Sequence, residues 1–311
     1  MTKLSVVTTL YKSELHIYDF YRRINIAATQ LFSDDFEIIF VNDGSPDRSL
    51  EIASSIVAID KKVQVINLSR NFGHHKAIMT GLSYAKGNLV FLIDSDLEEE
   101  PELLLTFYNK MNIDNCDVVY GVQNKRKGDL FEQLSGKIFF LIFNLLSKNR
   151  IPVNLITARL MTSKYVKALL MHKEKEIVIS GLWVITGFQQ NPVLVNKLST
   201  SKSSYTFIKK VSLLINSITS FSEMPLYFIF YSGIAIFTSS LIFVFYLIMN
   251  YFYFMKPFSG WTSVIASIWL LGGIIISFIG LLSIYISKIF IEVKNRPFSI
   301  VKDVIKSTEI N

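Results

Sequence analysis

The chain has 311 residues, with 32 Lys and Arg against 25 Asp and Glu, a formal net charge of +7, and a length suited to one sizeable domain plus an appendage. Half of the residues are hydrophobic, 14% are aromatic and only 18% are charged. The positive balance favours polyanionic neighbours; no nucleic-acid-binding module is present, which leaves acidic lipid headgroups and diphosphates as partners, and the single cysteine, Cys116, excludes an internal disulfide and fits a reducing compartment.

The opening Met1-Thr2-Lys3 runs directly into a strand pattern, so no signal peptide is expected and the globular part is expected in the cytoplasm. Strand-like runs at 4–10, 37–42, 63–68, 88–94 and 117–121 alternate with helical stretches near 13–32, 47–59, 74–86 and 101–111. That rhythm predicts repeated βαβ units and a mainly parallel α/β sheet. Right-handed crossovers would bring the carboxyl ends of the strands to one edge, so Glu14, Asp43, Asp94 and Asp96 are expected to share a crevice. Asp43, in Asn42-Asp43-Gly44, also reads as a plain turn residue. The chain contains neither a G-x-G-x-x-G after its first strand nor a G-x-x-x-x-G-K-[ST], which argues against dinucleotide and P-loop readings.

The third strand leads into Ser69-Arg70-Asn71-Phe72-Gly73-His74-His75. Adjacent histidines point in different directions, so they read as helix-start residues, whereas Arg70 is a candidate phosphate contact. The fourth strand, Leu89 to Ile93, empties into Asp94-Ser95-Asp96-Leu97-Glu98-Glu99-Glu100-Pro101. Two carboxylates one residue apart on a short turn suit a hard divalent cation such as Mg²⁺, which takes one or two carboxylates and fills its remaining positions with water and substrate phosphates. Glu99 and Glu100 are expected only to complement the dipole of the helix that Pro101 opens.

Beyond the basic cluster Lys125-Arg126-Lys127, the apolar stretch 131–148 is too short to span a bilayer and reads equally as a core helix or an interfacial one, while 205–221 is placed at the membrane interface. Residues 226–255 and 262–287 contain no charge, and each exceeds the ~20 apolar residues needed to cross the hydrocarbon core. A transmembrane hairpin at about 226–255 and 262–291 is expected. Lys209 and Lys210 before it and Lys288, Lys294 and Arg296 at or beyond its last turn, against Lys256 in its loop, place both ends and the tail from 292 to 311 inside.

Taken in order, SVVTTLYKSE, FVNDGSPDRS, LSRNFGHHKAIMTGLSYAKGN, DSDLEEEPE, SGLWVITGF, SFSEMPL and KNRPF resemble the family 2 glycosyltransferases with a GT-A fold, and among them the polyprenyl-phosphate glycosyltransferases related to dolichol-phosphate mannose synthase and the bactoprenol glucosyltransferases. The resemblance implies a GT-A catalytic domain over 1–204, an interfacial segment over 205–225, then the hairpin and tail. It implies an inverting transfer of one sugar from a nucleotide-diphosphate sugar to undecaprenyl phosphate at the cytoplasmic membrane face, dependent on Mg²⁺ or Mn²⁺. Thr9, Tyr11, Glu14, Asp43, Arg70 and Asp94 would line the nucleotide-sugar pocket. Asp94, Asp96 and Glu98 would hold the metal, and Asp94, Asp96 and Arg159 would form the catalytic set. Arg159, with Arg126, Lys202 and Tyr205, would meet the acceptor phosphate. A homo-oligomer and a flippase partner are suggested by resemblance alone.

Two departures matter. Thr9 and Lys12 replace the proline and asparagine of the family's P-x-Y-N-E, and Thr157 stands where many relatives have an aspartate. A sugar hydroxyl acceptor needs a base, whereas a phosphate monoester, with a second pKa of ~6, is already mostly a dianion at neutral pH. Transfer to a saccharide hydroxyl and a non-enzymatic nucleotide-sugar-binding subunit are the alternative functions.

Overall fold

The computed structural model describes residues 2–123, 154–175, 178–196, 224–254 and 260–307. They form two units: one holds the described residues up to 196 together with those from Arg296 onward, the other those from Met224 to Asn295.

In the first unit the predicted alternation is present as β1 (Leu4–Leu10), α1 (Ile17–Phe32), β2 (Phe36–Asn42), α2 (Ser49–Ile59), β3 (Val63–Leu68), α3 (His74–Tyr84), β4 (Leu89–Leu92), α4 (Leu103–Asp114) and β5 (Val118–Gln123). Strands β1 to β3 are buried almost throughout, which is why apolar residues such as Val6 and Val7, Ile38 and Ile39, and Val65 and Ile66 fall on both faces rather than at every second position. Helix α1 buries Ile17, Phe20, Ile24, Ala27, Ala28 and Phe32 along one face. It starts four residues later than predicted because Ser13 to His16 form a turn, closed where the Ser13 carbonyl accepts from the His16 N–H. Helix α4 ends on Asn115 in the left-handed conformation, a conformation asparagine tolerates.

The sheet continues through β6 (Leu155–Thr162), which is followed by α5 (Ser163–Leu169) and α6 (Ile179–Ile185), and through β7 (Gln190–Val195). Its order is completed by β8 (Val301–Lys306), giving β7-β5-β6-β4-β1-β2-β3-β8. The β1/β2, β1/β4, β2/β3 and β5/β7 pairs are parallel. Strand β6 runs antiparallel to both β4 and β5, setting Arg159 opposite Leu92 on one side and Tyr120 on the other. Strand β8 runs antiparallel to β3, so part of the predicted tail is the edge of the sheet. Cys116 is buried, and burial raises its thiol pKa, as expected of an inert cysteine.

The second unit contains α7 (Met224–Phe254) and α8 (Trp261–Val293), close to the predicted spans. Among the described residues, one stretch, Leu271–Val293, is long and apolar enough to cross a membrane. The basic cluster with Arg126, the apolar stretches 131–148 and 205–221, and Lys202 and Tyr205 lie outside the described residues.

Helix α3 reaches the sheet through Gly81, where a β-carbon would lie 2.6 Å from Val7 Cγ1 and 2.7 Å from Val41 Cγ2. Gly81→Ala should therefore destabilise the protein by about 1–3 kcal/mol through overpacking. Denaturant unfolding of the purified protein measures this, and an unchanged midpoint would mean that α3 does not need this close approach.

Candidate active site

The carboxyl ends of β1 and β2 are joined by side chains that satisfy each other's loop backbone. The Lys12 N–H donates to Ser45 Oγ (2.7 Å), Ser13 N–H to Ser49 Oγ (3.0 Å) and Glu14 N–H to Asp47 Oδ2 (3.2 Å). In return Glu14 Oε2 accepts from the Arg48 N–H (3.0 Å). Burial opposes ionisation of Asp47, yet bonds from Ser45, Ser49 and the Glu14 N–H hold its carboxyl down at about 2. Glu14 thus serves as a brace between the two loops, and Asp47, which the sequence reading did not single out, is the hub of this junction.

Asp43 performs the same task one strand further on. It is 2% exposed, and its carboxylate accepts from Phe72 N–H (2.7 Å) and Gly73 N–H (3.0 Å), fastening the loop after β3. Burial pushes its pKa up despite these bonds and the nearby His74 and Arg70. Gly44 has a φ of +58° and lies so close under Arg70 and Asn71 that no β-carbon fits. Arg70 itself is exposed, its guanidinium 4.1 Å from the Phe72 ring centroid. Tyr11 is half exposed at the mouth.

That loop delivers His74 between the ends of β1 and β4: Nδ1 is 3.1 Å from Thr9 Oγ1 and Nε2 is 3.5 Å from Asp94 Oδ1. Thr9, one of the departures from the family motif, makes this contact through a hydroxyl that proline lacks. Ser95 Oγ donates to the Thr9 carbonyl (2.9 Å), and Asp96 Oδ1 accepts from the Glu98 N–H (3.0 Å). Between them Leu97 has a φ of +58°, a left-handed conformation that costs a branched side chain about 1–2 kcal/mol. Strain of this kind persists where the surroundings enforce it, and here it directs Asp96 and Glu98 at the end of β4. Among the described residues no group of three potential ligands is preassembled for a metal. The hard oxygen donors of Asp94 and Asp96 do fit a cation that takes one or two carboxylates and completes its shell with phosphate and water. Glu98 is largely buried.

Arg159 lies apart from this group, on β6. It is 1% exposed, its guanidinium carbon is 2.9 Å from the Trp183 ring centroid, and Nη2 has no hydrogen-bond partner. Burial pushes its pKa down to about 9, against the supporting influence of Tyr165, Glu99 and Tyr120. The Trp183 carbonyl accepts from Tyr165 Oη (3.0 Å) and Gln190 Nε2 (2.7 Å), which locks the stacking partner in place. Arg159, Tyr120, Leu155, Trp183, Phe188 and Gln190 line a pocket of about 210 Å³, room for several waters or a phosphate group.

The structure thus brings Thr9 and Asp94 together through His74, leaves Asp96 in the turn two residues beyond Asp94, gives Glu14 and Asp43 bracing bonds in the neighbouring loops, and sets Arg159 in an aromatic pocket on β6. His74 and Trp183 were not legible as site residues from spacing alone: His74 read as a helix start, and Trp183 sat within a quoted motif without a role. Lys12, at the other departure, has a φ of +56°. Because asparagine tolerates this conformation better, Lys12→Asn should stabilise the protein by about 1 kcal/mol; a lower denaturation midpoint would show that the lysine compensates in another way.

Comparison with known proteins bears on the activity. Residues 5–170 match the family described as Glycosyl transferase family 2. A glycosyltransferase relative from Mycobacterium tuberculosis is 50% identical over 300 residues, 96% of this chain and 87% of the relative. The bactoprenol glucosyl transferase of the SfII prophage in Shigella flexneri is 30% identical over 303 residues, covering 96% and 97%. Mannosyl-3-phosphoglycerate synthase from Rubrobacter xylanophilus aligns at a TM-score of 0.49 and 14% identity, over 70% of this chain and 73% of that one. With its GT-A-like, mostly parallel α/β sheet and a family match that runs from β1 past the Arg159 strand, the chain belongs to glycosyl transferase family 2 and is a glycosyltransferase.

Proposed function

We propose that the enzyme transfers one sugar, with inversion, from a nucleotide-diphosphate sugar to a polyprenyl phosphate such as undecaprenyl phosphate at the cytoplasmic face of the membrane. The observation that carries this reading is Arg159, a buried guanidinium whose Nη2 has no hydrogen-bond partner and which helps to line an aromatic-walled pocket. A buried cation of this kind is complemented by an anion, and a guanidinium matches the geometry of a phosphate. The bactoprenol glucosyl transferase named among the relatives accords with a lipid phosphate acceptor.

In this reading the donor lies along Thr9, Tyr11, Glu14, Asp43 and Arg70, with its diphosphate at Asp94 and Asp96. A Mg²⁺ or Mn²⁺ ion held by Asp94 and Asp96, with Glu98 beside them, would neutralise charge on the departing diphosphate. Arg159, assisted by Arg126, Lys202 and Tyr205, would orient the acceptor phosphate for in-line attack on the anomeric carbon. The acceptor enters as a dianion, so no side chain has to remove a proton from it. A hydroxyl acceptor fits less well. Thr157 carries no carboxylate, and Glu99, which is bonded to its backbone N–H, has both oxygens engaged.

The membrane topology follows the same reading. The stretch Leu271–Val293 would cross once, while β8, which follows it, pairs with β3. A sheet cannot be shared across a bilayer, so crossings would come in pairs, with α7, which has no charged residue from Met224 to Phe254, as the second.

Incubation of the purified protein with labelled nucleotide sugars, Mg²⁺ or Mn²⁺, and undecaprenyl phosphate should yield a lipid-linked sugar released by mild acid. An acid-stable saccharide, or no product despite nucleotide-sugar binding, would contradict the proposal. Asp96→Ala should lower turnover by about 100-fold or more while leaving the unfolding midpoint near that of the parent protein. Near-normal turnover would remove Asp96 from the reaction.

A further inference from the structure

Glu99 stands in an acidic run that reads as decoration of a helix start. The structure places it elsewhere. Its side chain is fully buried, Oε1 accepts from the Thr157 N–H (3.1 Å) and Oε2 from the Ala158 N–H (2.8 Å). Its neighbour Glu100 is exposed, and α4 begins only at Leu103.

The position of these bonds within the sheet explains why a carboxylate is needed. The β4/β6 ladder stops at Leu92 and Arg159, and the β5/β6 ladder is irregular between Tyr120 and Val122. Both neighbours of β6 therefore give up regular pairing at the residues just before Arg159, and buried backbone N–H groups left there need acceptors. Glu99 supplies one oxygen to each of two successive N–H groups. Its negative charge also favours the ionised guanidinium of Arg159, offsetting part of what burial costs that cation.

We propose that Glu99 is a positioning residue for Arg159: its carboxylate clamps β6 at Thr157 and Ala158 and so holds the guanidinium against Trp183 in the wall of the pocket, setting affinity for the acceptor phosphate. This rests on the reading of Arg159 as the acceptor-phosphate contact. The clamp also ties the two halves of the reaction together. Asp94, Asp96 and Glu99 belong to one six-residue segment, so the turn that faces the donor diphosphate fixes the strand that carries the acceptor contact. In-line transfer demands that these two positions stay in register to within a fraction of an ångström.

The test compares binding of undecaprenyl phosphate and of undecaprenol, which lacks the phosphate, to the full-length detergent-solubilised protein and to Glu99→Gln, Glu99→Asp and Arg159→Gln, with unfolding midpoints measured alongside. The parent protein should prefer the phosphate, and Arg159→Gln should abolish that preference. Glu99→Gln should reduce it by about tenfold although Arg159 is intact, with undecaprenol binding unchanged. Glu99→Asp, whose carboxylate is withdrawn by one methylene, should fall between. Should Glu99→Gln fail to fold, Glu99→Asp decides: a reduced preference at the parent's midpoint supports the role, and an undiminished one overturns it. Retention of the preference by Glu99→Gln but not by Arg159→Gln would overturn the positioning role alone. Retention by Arg159→Gln would overturn the acceptor-phosphate reading itself.

Discussion

A cationic guanidinium held inside the protein is the constraint around which β6 and its neighbours are arranged. Arg159 lies in the interior with one nitrogen unpartnered, a position that is costly unless stacking, counter-charge and ligand together compensate. Trp183 supplies the stacking face. Tyr165 and Gln190 immobilise Trp183 through its carbonyl, and Glu99 fixes the strand and contributes negative charge. The same arginine helps to line a pocket with Tyr120, Trp183 and Phe188.

The loops at the carboxyl ends of β1 to β4 use the opposite economy of charge. Its carboxylates act as acceptors for loop backbone: Asp47 for the loops after β1 and β2, Asp43 for the loop after β3, Asp96 for its own turn. Parallel strands end together at one edge, and the irregular segments that follow carry N–H groups that no ladder satisfies. Side-chain carboxylates meet that need and at the same time fix His74 against Thr9 and Asp94. Left-handed Lys12 and Leu97 are the conformational cost of these turns, and both flank residues that face the crevice.

The first five strands were legible because burial on both faces puts apolar residues at successive positions of each, at a spacing that leaves room for the helices between them. Strand β6 was not legible, since ITARLM carries a charged residue at the centre of what the structure buries; only its pairing with β4 and β5 explains how arginine is tolerated there. Strand β8 is mostly exposed and pairs with a strand about 240 residues away in sequence, a contact that no local pattern announces. Asp94 and Asp96 could be found from spacing at a strand end. Glu99 could not, because the adjacent acidic residues share a helix-start explanation that holds for an exposed Glu100 and fails for a buried Glu99. His74 escaped for a related reason: neighbouring histidines do point apart, but convergence of one of them with Thr9 and Asp94 depends on three strand ends meeting.

The central claim, that the Arg159 guanidinium engages the phosphate of a lipid acceptor, is tested most directly by phosphorus-31 titration of undecaprenyl phosphate bound to the protein. A buried opposite charge favours the dianion, so the second ionisation of the bound phosphate should shift below its free value of ~6 and return towards it in Arg159→Gln. A bound phosphate that titrates at its free value in the parent protein would contradict the account.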